Sequence, residues 1–274
     1  MTLLQSILLG IVQGATEFIP VSSSGHLVLI PFLFNWNIPT RDAFIFDVLV
    51  QVATLIAVLA YYAKDFLAIG KALLNSIFRT KTFADPDAKL GLYLILATIP
   101  AGLAGIAFND LIQNAFANPS ITSLCLFGTA ALLVIAELVG KRQEKSLVHM
   151  NWKDSIWIGC FQILALFPGL SRSGSTITGG MLRDFGRRTS ARFSFLMAVP
   201  IMLAAGSKAV YDFVQMPNTS ENLSILLAGC VVAAIVGYFS IRWLLQYLSQ
   251  RSYFVFAIYC GVFASINIVV YLIR

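Results

Sequence analysis

Charged residues are scarce in this sequence. Only 12% of its 274 residues are Asp, Glu, Lys or Arg, whereas 58% are hydrophobic. Soluble globular chains have about 25% and about 45–50% on the same two measures. This shortage of charge excludes an ordinary water-soluble domain, which needs a polar surface. Lipid is therefore the expected solvent of the chain.

Histidine and cysteine are also sparse, at two and four residues. The cysteines lie in apolar segments without CxxC spacing and without clustered histidines, so we expect buried thiols rather than disulfides or a metal site. The net charge of +6 comes from basic residues in short loops, which is typical of membrane topology and does not indicate nucleic-acid binding. The first residues lack a basic leader with a cleavage site, so no cleavable signal peptide is expected.

Six apolar stretches approach the roughly 20 residues that cross a bilayer as a helix. They are Ile45 to Tyr62, Leu90 to Phe108, Ile121 to Val139, Phe193 to Val210, Leu223 to Leu245 and Phe254 to Ile273. Residues 1–34 and 155–182 are equally apolar, but proline, glycine and clustered hydroxyl residues interrupt them. The sequence predicts an all-α polytopic membrane protein with one integral membrane domain over residues 1–274.

Lysine and arginine are missing from alternate connections, which predicts the topology. The basic loops at 64–89 and 141–153 are expected in the cytoplasm, whereas residues 109–120 and 212–221, without Lys or Arg, are expected outside. Four arginines between positions 183 and 192 also favour the cytoplasm. Residues 155–182 must then enter and leave the membrane on that side, as a re-entrant hairpin. By the same reasoning residues 1–34 enter from the external side.

A shift of 149 positions aligns one hairpin with the other. The identities are Gly10 with Gly159, Gln13 with Gln162, Phe18 with Phe167, Ser22 with Ser171, Ser24 with Ser173 and Gly25 with Gly174. Apolar composition alone would rarely match a glutamine, two serines and two glycines at one offset. We predict a repeat of about 1–140 and about 150–274, each with one hairpin and three spans. Because three is odd, the second copy is inverted, and shared sites are expected near the midplane.

Both hairpins are predicted to break at proline and to restart at serine. Pro20 ends the first helix of one hairpin and Pro168 that of the other, because proline lacks an amide hydrogen. Serines 22–24 can cap the next helix in the first hairpin, and Ser171 or Ser173 can cap it in the second. Free amides, hydroxyls and the positive end of a helix dipole at each break predict an anion site.

Three ionisable residues accompany the breaks: Glu17, His26 and Arg172. Charges inside membranes are costly and usually functional, and a guanidinium beside hydroxyls suits phosphate or diphosphate. Glu17 could orient His26, hold a divalent cation or act as acid or base. Either Ser23 or water could attack phosphorus with His26 as base. A structural Glu17–Arg172 ion pair and a core histidine are the alternatives.

The two hairpins resemble the motifs of a known family. Residues 13–17, QGATE, residues 20–26, PVSSSGH, and residues 168–176, PGLSRSGST, are similar to the (E/Q)xxxE and PGxSRSxxT motifs of bacitracin-resistance-type undecaprenyl-diphosphate phosphatases. The likeness covers essentially the whole chain. It implies hydrolysis of undecaprenyl diphosphate to undecaprenyl phosphate and inorganic phosphate, which recycles the carrier for peptidoglycan and other cell-wall polymers and confers bacitracin resistance. It also implies the bacterial inner membrane, and the loop charges favour a pocket reached from the external side.

The resemblance also assigns roles to residues. The expected active centre is Glu17, Ser23, His26 and Arg172, and the expected diphosphate contacts are Gln13, Ser22, Ser24, Gly25, Ser171, Ser173 and Thr176. A divalent cation, Mg²⁺ or Ca²⁺, is implied, with Glu17 as its ligand. Gln13 stands where other members carry a second glutamate, so a site with two carboxylate ligands is disfavoured.

Two other functions would use the same features. Inverted repeats with broken helices also characterise transporters, so a transporter or flippase of a polyprenyl phosphate lipid is the alternative. Such a carrier needs Arg172 and free amides, but not Ser23, His26 and Glu17 together. A structural scaffold would leave the polar hairpins unexplained. The expected partners are a polyprenyl diphosphate lipid and membrane lipid, and a second copy of the chain is a candidate.

Overall fold

The computed structural model describes residues 1–80, 82–116, 118–140, 145–214 and 223–274. These residues form twelve α-helices: α1 Leu3–Phe18, α2 Ser23–Leu33, α3 Thr40–Tyr61, α4 Ala63–Asn75, α5 Pro86–Ala107, α6 Asn109–Phe116, α7 Pro119–Val139, α8 Trp152–Leu164, α9 Arg172–Met181, α10 Arg187–Val214, α11 Leu223–Tyr247 and α12 Phe254–Ile273. Within the described ranges, β structure is limited to one bridge between Lys145 and Phe185. The all-α prediction is confirmed. Parts of two predicted loops, at 141–144 and 215–222, lie outside the described residues.

Four of these helices, α5, α7, α11 and α12, are long and apolar enough to cross a membrane. They coincide with four of the six predicted spans. A fifth candidate is the pair formed by Ile45–Tyr61 of α3 and the segment Ala63–Arg79, which bends by 81° at Tyr62. The sixth predicted span lies within α10, which is not among the helices that meet this criterion over the described residues.

The first hairpin consists of α1 and α2. A capping box begins α1, since the Thr2 hydroxyl accepts from the Gln5 amide and the Gln5 side chain accepts from the Thr2 amide. The helix ends at Phe18, before Pro20, as predicted. At 16 and 11 residues, α1 and α2 are each shorter than the roughly 20 residues of a spanning helix.

The second hairpin, α8 and α9, is built in the same way. Asn151 and Asp154 form the capping box of α8, which ends at Leu164, well before Pro168. Gly169 makes the turn with φ +93°, in the left-handed region that favours glycine. Ser171 caps α9. The sequence left Ser171 and Ser173 open for this position, and the structure selects Ser171.

The first hairpin packs on the C-terminal half of the chain, with α1 lying along α11. Gly10 permits this close approach, because a Cβ there would overlap the backbone of Gly229. One turn before Gly10, the Ser6 hydroxyl donates to the carbonyl of Ile225 at 2.6 Å. At both positions a small residue lets the backbones of the two helices approach closely.

The second hairpin packs on the N-terminal half, with α8 lying along α5. Gly159 meets the backbone of Ala97, and the Ser155 hydroxyl donates to the carbonyl of Tyr93 at 2.5 Å. The two hairpins therefore exchange partners between the halves of the chain, which holds both breaks inside one helical body.

Asp154 ties the start of α8 to the segment after α9. Its buried carboxylate accepts from Lys145 Nζ at 2.5 Å and from Arg183 Nε at 2.8 Å. Burial raises the pKa of this carboxyl, but the hydrogen bonds from Lys145 and Arg183 outweigh burial, so the pKa lies below its usual 3.8. The ionised cluster stabilises the folded state at neutral pH.

A second buried carboxylate, Glu137 of α7, joins three helices. It pairs with Arg187 at the start of α10 through both carboxylate oxygens. It also accepts from the backbone amide of Tyr253, just before α12, at 2.7 Å. This cluster lies on elements other than the two hairpins and fixes the ends of α7, α10 and α12 together.

Candidate active site

The two helix breaks lie directly against each other. A Cβ added at Gly25, in the first turn of α2, would lie 3.1 Å from the Cα of Gly169 in the second break and 3.2 Å from the Ser22 hydroxyl. Glycine therefore permits the close approach of the two backbones. The two breaks therefore face each other, as expected where irregular backbone at membrane depth has to be buried in protein.

Each break presents a serine that caps the following helix. The Ser22 hydroxyl accepts from the amide of Gly25 at 3.3 Å, and the Ser171 hydroxyl accepts from the amide of Gly174 at 3.0 Å. Ser22 holds this position with a backbone φ of 71°, a value that residues with a side chain rarely adopt. The first residues of α2 and α9, and so the positive ends of both helices, meet at the junction.

Glu17 connects the two hairpins at this junction. Its Oε2 accepts from the Ser23 hydroxyl at 2.6 Å and from Gln13 Nε2 at 3.0 Å, and its Oε1 accepts from Arg172 Nη2 at 3.0 Å. Ser23 and Arg172 are the first residues of α2 and α9. The side chains of Glu17 and Arg172 are 10% and 14% exposed, so this is a largely buried ion pair that also holds a hydroxyl.

Arg172 has a second partner on α10. Its Nη1 donates to the carbonyl of Ser194 at 3.2 Å, and Thr176, one turn further along α9, lies 2.7 Å from the Ser194 hydroxyl and donates to the Arg172 carbonyl. Ser194 is fully buried. Sequence reasoning did not identify it, because one serine in an apolar helix carries no motif.

His26 does not take the position that its motif suggests. Nδ1 lies 2.7 Å from the Ser22 carbonyl, and Nε2 lies 2.7 Å from the hydroxyl of Tyr259 on α12. The ring stacks on Phe263, with centroids 4.6 Å apart, and it is buried. Both ring nitrogens therefore have partners other than Ser23. The base that Ser23 contacts is the Glu17 carboxylate. Tyr259 is a second residue that sequence reasoning missed.

The remaining hydroxyl residues lie along the same junction. Ser24 Oγ is 3.4 Å from Ser22 Oγ, and Ser173 Oγ is 3.1 Å from Ser171 Oγ and 3.5 Å from the carbonyl of Ile19. These serines are the sequence neighbours of Ser23 and Arg172, two of the residues that contact Glu17. The structure brings together all eleven predicted site residues, which are Gln13, Glu17, Ser22, Ser23, Ser24, Gly25, His26, Ser171, Arg172, Ser173 and Thr176. It does not place His26 on Ser23.

The oxygen atoms beside Glu17 suit a divalent cation shared with a diphosphate. Gln13 Oε1 is buried without a hydrogen-bond partner, while the amide nitrogen of the same side chain donates to the Glu17 carboxylate. Carboxylate and amide oxygens are ligands of Mg²⁺ and Ca²⁺, and Mg²⁺ commonly takes its other ligands from phosphate and water. Over the described part of the chain no group of three or more His, Cys, Asp and Glu side chains could hold a metal. The donors therefore fit a cation held partly by substrate.

Comparison with known proteins agrees with the motifs. The sequence matches the family described as bacitracin resistance protein BacA over residues 6–266. It is 39% identical over 274 residues to a protein of Moorella thermoacetica named undecaprenyl-diphosphatase, with 100% of both chains covered. Proteins of the same name from Chlorobaculum tepidum and Chlorobium limicola are 39% and 40% identical over 266 residues, which cover 94% of this chain and 93% of theirs. The chain belongs to the BacA family.

Proposed function

We propose that this member of the BacA family is an undecaprenyl-diphosphate phosphatase, which hydrolyses the lipid diphosphate to undecaprenyl phosphate and inorganic phosphate. The observation that carries the proposal is the 2.6 Å hydrogen bond from Ser23 to a carboxylate that also pairs with Arg172. A hydroxyl beside a base, with a guanidinium next to it, suits attack on phosphorus. Relatives of full length that carry the name of this activity support it.

Binding follows from the helix termini. A diphosphate at the junction would accept hydrogen bonds from Arg172 and from the amides at the starts of α2 and α9. The Glu17 carboxylate gives up its place on Arg172 to the phosphate as the substrate enters. Arg172 stays oriented through the Ser194 carbonyl, because that contact uses the other guanidinium nitrogen.

Ser23 Oγ then attacks the terminal phosphorus, and its proton passes to Glu17. The bond from that phosphorus to the bridging oxygen breaks, and undecaprenyl phosphate leaves with the bridging oxygen. Glu17 passes its proton to that departing oxygen and next accepts one from a water molecule, which attacks the phosphoserine. Inorganic phosphate departs and the serine oxygen takes a proton back. Arg172 and the helix termini stabilise the charge on phosphorus in both steps.

Glu17 and Gln13 Oε1 are the protein atoms that would hold a Mg²⁺ or Ca²⁺ ion. Such an ion neutralises charge on the diphosphate when bound. A single carboxylate ligand agrees with the presence of glutamine at position 13, and the rest of its coordination would come from phosphate oxygens and water.

The fold is proposed to be an inverted repeat with six spans and two re-entrant hairpins. Ser6 and Ser155 are 149 positions apart, the offset of the motif identities, and each donates to a backbone carbonyl of the opposite half. The contact repeats four residues further on in both halves, since Gly10 meets the backbone of Gly229 and Gly159 meets that of Ala97. Such a repeat puts the junction near the midplane, and the loop charges favour access from the external side of the inner membrane.

A carrier of polyprenyl phosphate would use the same anion site, but the Glu17–Ser23 contact favours an enzyme. Moving a phosphate requires charge complementarity and alternate access, and neither requires a serine 2.6 Å from a carboxylate. The site is also unequal between the halves, since Arg172 stands at the position that corresponds to Ser23. A symmetric carrier has no use for that inequality.

The test uses purified protein and undecaprenyl diphosphate in detergent, with Mg²⁺ or Ca²⁺ present. We expect the wild type to release inorganic phosphate and Arg172→Ala to release almost none while keeping its thermal midpoint within a few degrees. A wild type that releases no phosphate would overturn the phosphatase function. A normal rate in Arg172→Ala would overturn the assignment of the site.

A further inference from the structure

We propose that Tyr259 is a positioning residue for Ser23, acting through His26 and the carbonyl of Ser22. The proposal rests on the phosphatase function proposed above, because it concerns how the attacking serine is held. Tyr259 lies on α12, outside both hairpins, and its hydroxyl reaches His26 across 233 positions of sequence. Tyr259–His26–Ser22 is referred to below as the hydrogen-bond chain.

The hydrogen-bond chain ends at Ser22, whose backbone conformation has to be enforced by its surroundings. Ser22 has φ 71° and ψ 94°, a conformation that persists in a residue with a side chain only where the surroundings enforce it. Its carbonyl accepts twice from His26, from the backbone amide at 3.1 Å and from Nδ1 at 2.7 Å. The Ser22 carbonyl belongs to the peptide bond between Ser22 and Ser23. The two hydrogen bonds from His26 therefore fix the orientation of that peptide bond, and with it the position of Ser23.

The Ser22 carbonyl fixes the tautomer of His26, and Tyr259 holds the ring in place for this contact. A carbonyl oxygen only accepts, so Nδ1 must carry the ring hydrogen, and the neutral ring then has its lone pair on Nε2. The Tyr259 hydroxyl, 2.7 Å from Nε2, donates to that lone pair. Without the hydroxyl, Nε2 would be a buried acceptor without a partner, and the ring would lose the hydrogen bond that fixes its position opposite the Ser22 carbonyl.

Helix α12 holds the rest of the first hairpin in place as well. Phe263 stacks on the His26 ring, which restricts its rotation. At the far end of α2, Arg274 donates to the carbonyls of Phe32 and Leu33 at 2.5 and 3.0 Å. Loss of the Tyr259 hydroxyl alone should therefore leave α2 docked and change only the break itself.

The kinetic test is Tyr259→Phe, which keeps the ring and removes the donor. Tyr271→Phe is a matched control, since Tyr271 lies on the same helix and both side chains are 45% exposed. We expect kcat for undecaprenyl diphosphate to fall about tenfold in Tyr259→Phe, the size of one hydrogen bond lost in the transition state. KM should stay within about twofold of wild type, because Arg172 and the start of α9 still hold the phosphate. A kcat equal to that of Tyr271→Phe would overturn the proposal.

A spectroscopic test examines the hydrogen-bond chain in the absence of substrate. The protein has only two histidines, so ring ¹⁵N labelling gives two sets of signals, and His149→Gln assigns them. We expect Nδ1 of His26 to be protonated and Nε2 to be unprotonated in the wild type, in Tyr271→Phe and in Tyr259→Phe, with the Nε2 signal shifted only in Tyr259→Phe, because its hydrogen bond is lost there. Hydrogen on Nε2 in the wild type would overturn the proposal. Failure of the wild type to hydrolyse the lipid would instead overturn the proposed function. The ring signals would still show whether the hydrogen bond between Tyr259 and His26 exists.

Discussion

Glu17→Gln removes one charge at the centre of the site with little change of shape. The carboxylate accepts three hydrogen bonds, from Ser23, Gln13 and Arg172. An amide has one oxygen acceptor and one nitrogen that only donates. Whichever way the amide is oriented, at least one of these donors faces an NH₂ group. No orientation provides a base that can take the proton of Ser23.

The size of the effect follows from what is lost. A positioned general base contributes about 10²–10⁴ in rate, so we expect kcat to fall by about 10³. Arg172 loses its carboxylate partner and keeps the Ser194 carbonyl, which leaves it at least as free to bind phosphate. With Mg²⁺ or Ca²⁺ held at a saturating concentration, to offset the loss of its one carboxylate ligand, KM should therefore be unchanged or lower. A fall in kcat without a rise in KM is the signature of an interaction used in the transition state.

The assay is steady-state phosphate release from undecaprenyl diphosphate in detergent. Glu137→Gln is the matched control, because Glu137 is also a buried glutamate paired with an arginine but lies in the cluster with Arg187 and Tyr253. It should lose about 1–3 kcal/mol of stability and keep kcat within about twofold. Glu17 is not the base if Glu17→Gln retains more than a tenth of wild-type kcat, or if both variants lose kcat equally.

Three further predictions concern the junction, the pH dependence of stability and the repeat. Gly25→Ala places a methyl group 3.1 Å from the opposing backbone, so kcat should fall about 10²-fold; Gly102→Ala, where a Cβ meets nothing within 4 Å, should not change it. Folding lowers the pKa of Asp154, so the stability that its carboxylate contributes is complete above about pH 4 and is lost as pH falls through the lowered pKa. The thermal midpoint of the wild type should therefore fall over this pH range, and that part of the fall should be absent in Asp154→Asn. Ser6→Ala and Ser155→Ala should each cost about 1 kcal/mol in unfolding experiments, and clearly unequal losses would contradict the equivalence of their positions.

Local signals predicted the broken hairpins well. The first helix ends two residues before Pro20, in agreement with the predicted break, because the effect of a proline on a helix is encoded within a few positions. The serine caps at Ser22 and Ser171 followed from the same local chemistry. The approach of the two breaks was also predictable, since irregular backbone at membrane depth must be buried in protein or line a cavity.

Contacts between distant helices could not be predicted in this way. Tyr259 and Ser194 lie in apolar helices, and only the packing of α12 and α10 against the hairpins brings them to His26 and Arg172. The motif suggested His26 as the base for Ser23, but a motif does not report which way a ring faces. Hydropathy alone predicted the span Ile45 to Tyr62 but did not indicate the 81° bend that follows it at Tyr62.

The central claim is that Ser23, held by Glu17, attacks the lipid diphosphate, and Ser23→Ala tests it most directly. The variant removes one oxygen atom and leaves Glu17 paired with Arg172, so its thermal midpoint should match the wild type. Loss of a nucleophile that acts as part of a catalytic unit costs several orders of magnitude. We predict that Ser23→Ala releases phosphate from undecaprenyl diphosphate at least about 10³-fold more slowly than wild type. Release within about tenfold of the wild-type rate would contradict the account.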